Sequence, residues 1–230
     1  MKLAALVSGG KDSLYAAWLA KKAGHELVCL VSAIPENPDS YMFHAPNTRL
    51  VKVVSECAGI PLLEVPTKGR KEEELEDVKS ALGKLVGKID GIVCGAIASN
   101  YQKARLERIT RELGLALVAP LWGRPQEDVL RSEIKDGFES IIVHVAAAGL
   151  NESWLGRKLD ASAFSDLLAL QKKFGVSPVG EGGEFETLVL DCPLFSKRIK
   201  VLASEKKWDV KTSSGTLEIT RAEVADKCLP

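Results

Sequence analysis

The chain has 230 residues, and 31 Lys and Arg against 31 Asp and Glu leave a formal charge of zero. At roughly 150 residues per domain this is one large domain, or one domain with a smaller attachment, and 46% hydrophobic with 27% charged residues is the usage of a globular chain with a real core. Zero net charge offers no general attraction to nucleic acid or anionic membrane, no stretch nears the ~18 apolar residues of a membrane helix, and the N-terminus lacks the form of a signal peptide, so a cytoplasmic protein is expected.

Leu3–Val7 reads as a strand that runs into a Ser/Gly turn and then a helix from about Ser13 to Ala23, which Gly24 is placed to cap. Further strands are expected at Leu27–Val31, Leu62–Val65, Gly91–Gly95, Ala116–Ala119 and Ser140–Val145. Between them Leu75, Val78, Leu82 and Leu85 mark one helix face, and Leu106, Ile109 and Leu113 another. Alternation of near-continuous apolar strands with helices predicts a doubly wound parallel α/β sheet, Rossmann-like, with ligands at the carboxyl ends of the strands. After about Val145 the rhythm changes to a helix at Ser162–Phe174, the loop Gly180-Glu181-Gly182-Gly183-Glu184-Phe185-Glu186, and alternating pairs Ile199/Val201, Trp208/Val210 and Leu217/Ile219 around a Ser213–Gly215 turn. This predicts a parallel α/β domain over 1–146 and a smaller C-terminal α+β subdomain over 147–230. Five scattered cysteines without CxxC and only three histidines argue against a disulfide framework or a zinc site.

Ser8-Gly9-Gly10-Lys11-Asp12-Ser13 sits between the first strand and first helix. Glycines let backbone N–H groups approach an anion, and the helix start adds unpaired donors and positive dipole, so a phosphate group is the natural occupant. Lys11 and the Ser8 and Ser13 hydroxyls are candidates to complete the cradle, and Asp12 to cap the helix or hold Mg²⁺. A Walker A loop fails at two places: Ala5 stands where its first glycine belongs, and Asp12 where Ser or Thr must follow the lysine.

Strand–SGGKDS–helix resembles the pyrophosphate (PP) loop of the N-type ATP pyrophosphatases, of the adenine nucleotide alpha hydrolase fold. Ser40-Tyr41-Met42-Phe43-His44, the segment Tyr101–Glu107 and GEGGEFETL at Gly180–Leu188 narrow this, and the whole chain is similar to the diphthine–ammonia ligase family. The resemblance implies an ATP-dependent ligase that amidates the diphthine carboxylate of translation elongation factor 2 with ammonium through an acyl-adenylate, releasing AMP and pyrophosphate. It implies ATP and Mg²⁺ as cofactors, catalytic roles for Lys11, Asp12 and Ser13, and Asp12 as metal ligand. Nucleotide contacts are implied for Ser8 to Ser13 and, by fold, for Ser32, Ala33 and Gly95. Substrate contacts are implied for Tyr41, Phe43, His44 and Arg105, and for Glu181, Gly182, Gly183, Glu184, Phe185, Glu186 and Thr187.

Diphthine carries a quaternary ammonium, and the three glutamates with Phe185 are expected to form a negative, aromatic pocket for it; solvated or capping glutamates are the plain alternative. His25 and His144 read as a helix-end complement and a core group. Another adenylating enzyme, such as a tRNA-modifying one, and a non-catalytic ATP-binding module stay open at this point, although no nucleic-acid partner is expected from the balanced charge.

Overall fold

The computed structural model describes residues 1–35, 47–67 and 73–227. In chain order come β1 (Lys2–Leu6), α1 (Lys11–Lys22), β2 (Glu26–Pro35), a 3₁₀ turn (Thr48–Leu50), α2 (Val51–Ala58), β3 (Leu62–Thr67), α3 (Glu73–Gly83), β4 (Gly91–Val93), α4 (Asn100–Leu113), β5 (Ala116–Val118) and α5 (Gln126–Lys135). β6 (Glu139–Val145), a 3₁₀ turn (Glu152–Trp154), α6 (Ala161–Phe174), β7 (Phe185–Asp191), β8 (Arg198–Asp209) and β9 (Ser214–Ala225) follow.

The first five strands form a parallel sheet in the order β3-β2-β1-β4-β5. Successive side chains of a strand point to opposite faces. Leu3 and Ala5 enter one apolar cluster while Ala4 enters the other, so both faces are covered and the strand needs no polar side. One cluster gathers α3 and α4 through Leu75, Val78, Leu82, Leu106 and Ile109. The other takes in Leu14 of α1 and Val54 of α2 and continues into the second sheet through Ile142, Leu188 and Ile219. Each such buried aliphatic contributes about 1.5–3 kcal/mol, which fixes the layers. Strand order reverses between β1 and β4, and the turn after β1 opens at that switch point, where parallel sheets take ligands.

The second sheet is antiparallel, in the order β7-β6-β9-β8. Sequence rhythm places the change of architecture after Val145, yet β6, at the end of the expected first part, already belongs to this sheet. A short apolar run reads the same in either kind of covered sheet, so its partners are not legible locally. Val210, expected in an alternating strand, lies in the β8–β9 turn and is 80% exposed. Gly24 does take a left-handed conformation after α1, at φ +87°.

Candidate functional site

Gly9, at φ +87°, turns the chain from β1 into α1. Ser13 stitches the turn: its hydroxyl donates to the Gly10 carbonyl at 3.0 Å and accepts the Ser8 N–H at 3.3 Å. Strand β7 lies along the loop. The Val189 N–H donates to the Gly9 carbonyl at 3.1 Å, and the Lys11 N–H donates to Thr187 Oγ1 at 3.1 Å. The Asp12 and Ser13 amides, at the start of α1, have no acceptor among the described residues. A helix start presents such donors together with positive dipole, which suits an anion.

Lys11 is expected to point at phosphate, and here its side chain turns inward instead. It is 1% exposed, and its ammonium donates to Asp12 Oδ1 at 2.6 Å and to the Val179 carbonyl at 3.0 Å, with Glu133 Oε2 at 3.6 Å. Burial alone would lower its pKa, but Asp12 and Glu133 outweigh burial and raise it, so the ammonium stays charged. Burial holds the Glu133 carboxyl well above the usual range, opposed in part by Lys11. With two hydrogen bonds and the Glu133 carboxylate in ionic range, the inward Lys11 side chain ties α1 to the Val179 backbone and to α5. Glu133 escapes sequence reading, although it shares an apolar face of α5 with Val129 and Leu130, and a charge on such a face is the available signal.

Gly95, just beyond β4, is expected in an adenosine pocket and has a second role. A Cβ there would stand 2.6 Å from the Ser13 nitrogen and 2.7 Å from the Asp12 carbonyl carbon, so only glycine lets the β4 end back onto the start of α1. Ser32 and Ala33 are buried in β2, on its carboxyl-terminal half, and the Ser32 hydroxyl is buried with no hydrogen-bond partner. A buried hydroxyl without a protein partner is costly unless a ligand or water completes it.

The glutamates separate by partner. Glu181 Oε1 accepts the Ala98 and Ser99 amides at 3.0 and 2.8 Å, ahead of α4. Glu184 accepts Ser177 N–H at 3.0 Å and Gly182 N–H at 2.8 Å, while the Gly183 N–H closes on the Gly180 carbonyl at 3.0 Å. Both carboxylates are therefore bound to backbone amides, Glu181 across to the segment ahead of α4 and Glu184 within its own loop, as in the plain alternative. Glu186 on β7 differs: it is half-buried, without a hydrogen-bond or ionic partner among the described residues, and burial pushes its carboxyl up to about 8. Phe185 beside it is buried in the core. Replacing Glu181 by Ala should lower stability by about 1–2 kcal/mol, the usual cost of losing such a cap, and Glu181→Gln by less; urea midpoints measure both.

Arg105 on α4 lays its guanidinium 3.4 Å from the Tyr101 ring centroid, at the carboxyl end of β4. Tyr41, Phe43 and His44 lie outside the described residues. An open concavity beside Met1, Gly24 and Asp90 sits at the amino ends of the strands, away from all these groups.

Residues 1–117 match the family described as Diphthamide synthase N-terminal domain, and residues 126–224 match Diphthamide synthase C-terminal domain. Proteins named diphthine–ammonia ligase from Bos taurus and Homo sapiens are each 40% identical over 227 residues, covering 89% of this chain and 84% of theirs. The Danio rerio protein of that name is 34% identical over 250 residues, covering 99% and 98%.

Proposed function

The chain belongs to the diphthamide synthase family, and from that membership we propose that it is a diphthine–ammonia ligase, converting the diphthine carboxylate of translation elongation factor 2 to the amide with ATP and ammonium. One observation carries this beyond membership: Lys11 fastens the SGGKDS loop to the GEGGEFETL segment, by its amide on Thr187 and its ammonium on Val179. The anion-binding turn and the loop that singles out this family thus make one site.

A carboxylate is a poor electrophile because its leaving group would be oxide. In the proposed reaction a carboxylate oxygen attacks the α-phosphorus of ATP and the bond to pyrophosphate breaks. Ammonia then attacks the activated carbonyl carbon and the bond to AMP breaks, so one hard step becomes two easier ones. The amides of Asp12 and Ser13, with the Ser8 and Ser13 hydroxyls, suit the departing pyrophosphate, and donors already in place there stabilise the charge that develops. The unsatisfied Ser32 hydroxyl beside Ala33 suits the adenosine.

Mg²⁺ needs only one or two carboxylates when phosphates and water fill its shell. Asp12, 29% exposed in the first turn of α1, fits that demand, and among the described residues no group of three acidic, His or Cys side chains offers a cage. The ion would neutralise phosphate charge there. Among the described residues no helix is long and apolar enough to cross a membrane, consistent with a protein substrate met in solution.

Incubation with ATP, Mg²⁺, ammonium and diphthine-bearing elongation factor 2 tests the proposal. Pyrophosphate and AMP should appear only with the modified factor, whose mass falls by that of carboxylate-to-amide conversion. Bound but uncleaved ATP under all conditions would leave a nucleotide-binding module instead.

A further inference from the structure

Glu186 stands out among the buried titratable groups because nothing around it explains its charge. It lies directly opposite His144 of β6, and His144 lies directly opposite Thr216 of β9, so the three form one row across the second sheet. The His144 Nδ1 and Thr216 Oγ1 are 2.9 Å apart, which orients the imidazole. The row begins at the edge strand that flanks the phosphate-binding turn: the next residue, Thr187, takes the Lys11 N–H, and two residues on, Leu188 packs 3.7 Å from the Cβ position of Gly9. Glu186 is on the same strand face as Leu188, one residue before the Thr187 that takes the Lys11 N–H, so it lies one position along the strand from that turn.

We propose that Glu186 is a catalytic base that takes a proton from ammonium at this edge, delivering neutral ammonia to the activated diphthine carbonyl. This rests on the ligase function above and assigns the nitrogen subsite within it. The step balances: ammonium gives one proton to the Glu186 carboxylate, leaving ammonia and a neutral carboxyl; the amide nitrogen sheds its surplus proton to solvent water as AMP departs, and Glu186 returns its own proton to solvent before the next turnover. Ammonium holds no lone pair, so some group must accept that proton before the C–N bond can form.

The surroundings favour this over the quaternary-ammonium pocket expected from sequence. Glu181 and Glu184 are committed to backbone amides, which leaves one carboxylate where three were expected. Proton transfer from ammonium leaves two neutral partners, which a desolvated site prefers; a trimethylammonium has no proton to give and would keep its charge. Burial pushes the Glu186 carboxyl up to about 8, well matched to a proton donor as weak as ammonium. The charges on neighbouring elements are occupied elsewhere: Lys207 of β8 and Arg49 before α2 by Glu218, Lys52 of α2 by Glu64, and Lys11 of α1 by Asp12. His144 is the titratable group facing Glu186 within its row.

Hydroxylamine, already unprotonated at neutral pH, separates deprotonation from substrate binding. Glu186→Gln should lower ammonium-dependent amide formation by about 10²–10⁴-fold. It should still release pyrophosphate in the first turnover and form hydroxamate from hydroxylamine at close to the wild-type rate. Equal loss with both nucleophiles, or an unchanged rate with ammonium, overturns the proposal. Failure of the wild-type protein to release pyrophosphate with modified factor would instead overturn the ligase function itself. The wild-type pH profile is a second measurement. At fixed total ammonium the rate should rise with pH, reach half its limit near 8, where Glu186 is half ionised, and level off above that. A continued rise in parallel with free ammonia also overturns it. Folding is controlled by the same group: a raised carboxyl pKa means the folded state holds the extra proton, so stability falls as pH climbs from the usual carboxylate range through about 8. Glu186→Gln should therefore melt no lower than wild type above that pH.

Discussion

Gly95→Ala should abolish most nucleotide-dependent turnover, cutting pyrophosphate release roughly 100-fold, the scale of a 1 Å misplacement of reacting groups. The new methyl would stand 2.6 Å from the Ser13 nitrogen and 2.7 Å from the Ser13 Cα, and both are backbone atoms that cannot rotate away. Either the end of β4 or the first turn of α1 must move, and with it the Asp12 and Ser13 amides. Overpacking of this kind costs about 1–3 kcal/mol of stability as well. Gly83→Ala is the control. Its Cβ would meet Leu113 Cδ2 at 3.8 Å, an ordinary contact at the end of α3, so a neutral or slightly stabilising change is expected there. Pyrophosphate release and urea denaturation of the two variants, side by side, check this. If Gly95→Ala turned over like wild type, the close approach would not govern the loop.

Lys11→Met should have the largest effect on stability, roughly 3–5 kcal/mol, the cost of removing one partner from a buried charged pair. That is a large share of the 5–15 kcal/mol typical of a folded domain. The substitution strands Glu133, both of whose carboxylate oxygens are buried without a hydrogen bond, and it frees the Val179 carbonyl. Adding Glu133→Leu should recover much of the loss, because well-packed apolar residues replace buried ion pairs at little cost. Recovered stability should not bring recovered turnover. Asp12 would still lack its 2.6 Å partner, and the 176–184 loop would lack its tie to α1. A double-mutant cycle by denaturation, with the KM for ATP measured on the stable double variant, separates the two roles. An equally stable single variant would mean that the inward ammonium carries no weight.

The comparison of glutamates shows where sequence reasoning stops. Three acidic residues within six positions invite a shared negative pocket, yet the three carboxylates part ways. Glu181 reaches amides 82 and 83 positions away in sequence, Glu184 closes its own turn, and Glu186 projects from a strand edge with no partner among the described residues. Spacing along a loop fixes none of these directions. The Gly180–Leu188 segment was legible as a mark of the family, and the partners of its charges were not.

By itself the sequence determined the parallel α/β layering, the glycine turn between β1 and α1, and the family. These rest on local causes: apolar runs of strand length, helical spacing, and glycines where the backbone must turn or approach closely. Tertiary structure alone decided that β6 joins the second sheet, that Lys11 faces inward, and that Gly95 serves as a backbone contact. Each depends on a partner distant in the chain, Val179 lying 168 positions beyond Lys11. A motif constrains its own dihedral angles and charges, but which groups it meets is set by how layers pack. The same balanced charge of zero thus hides an arrangement no composition specifies: a buried lysine spent on structure, helix-start amides without a protein acceptor, and one half-buried glutamate with no counter-charge among the described residues.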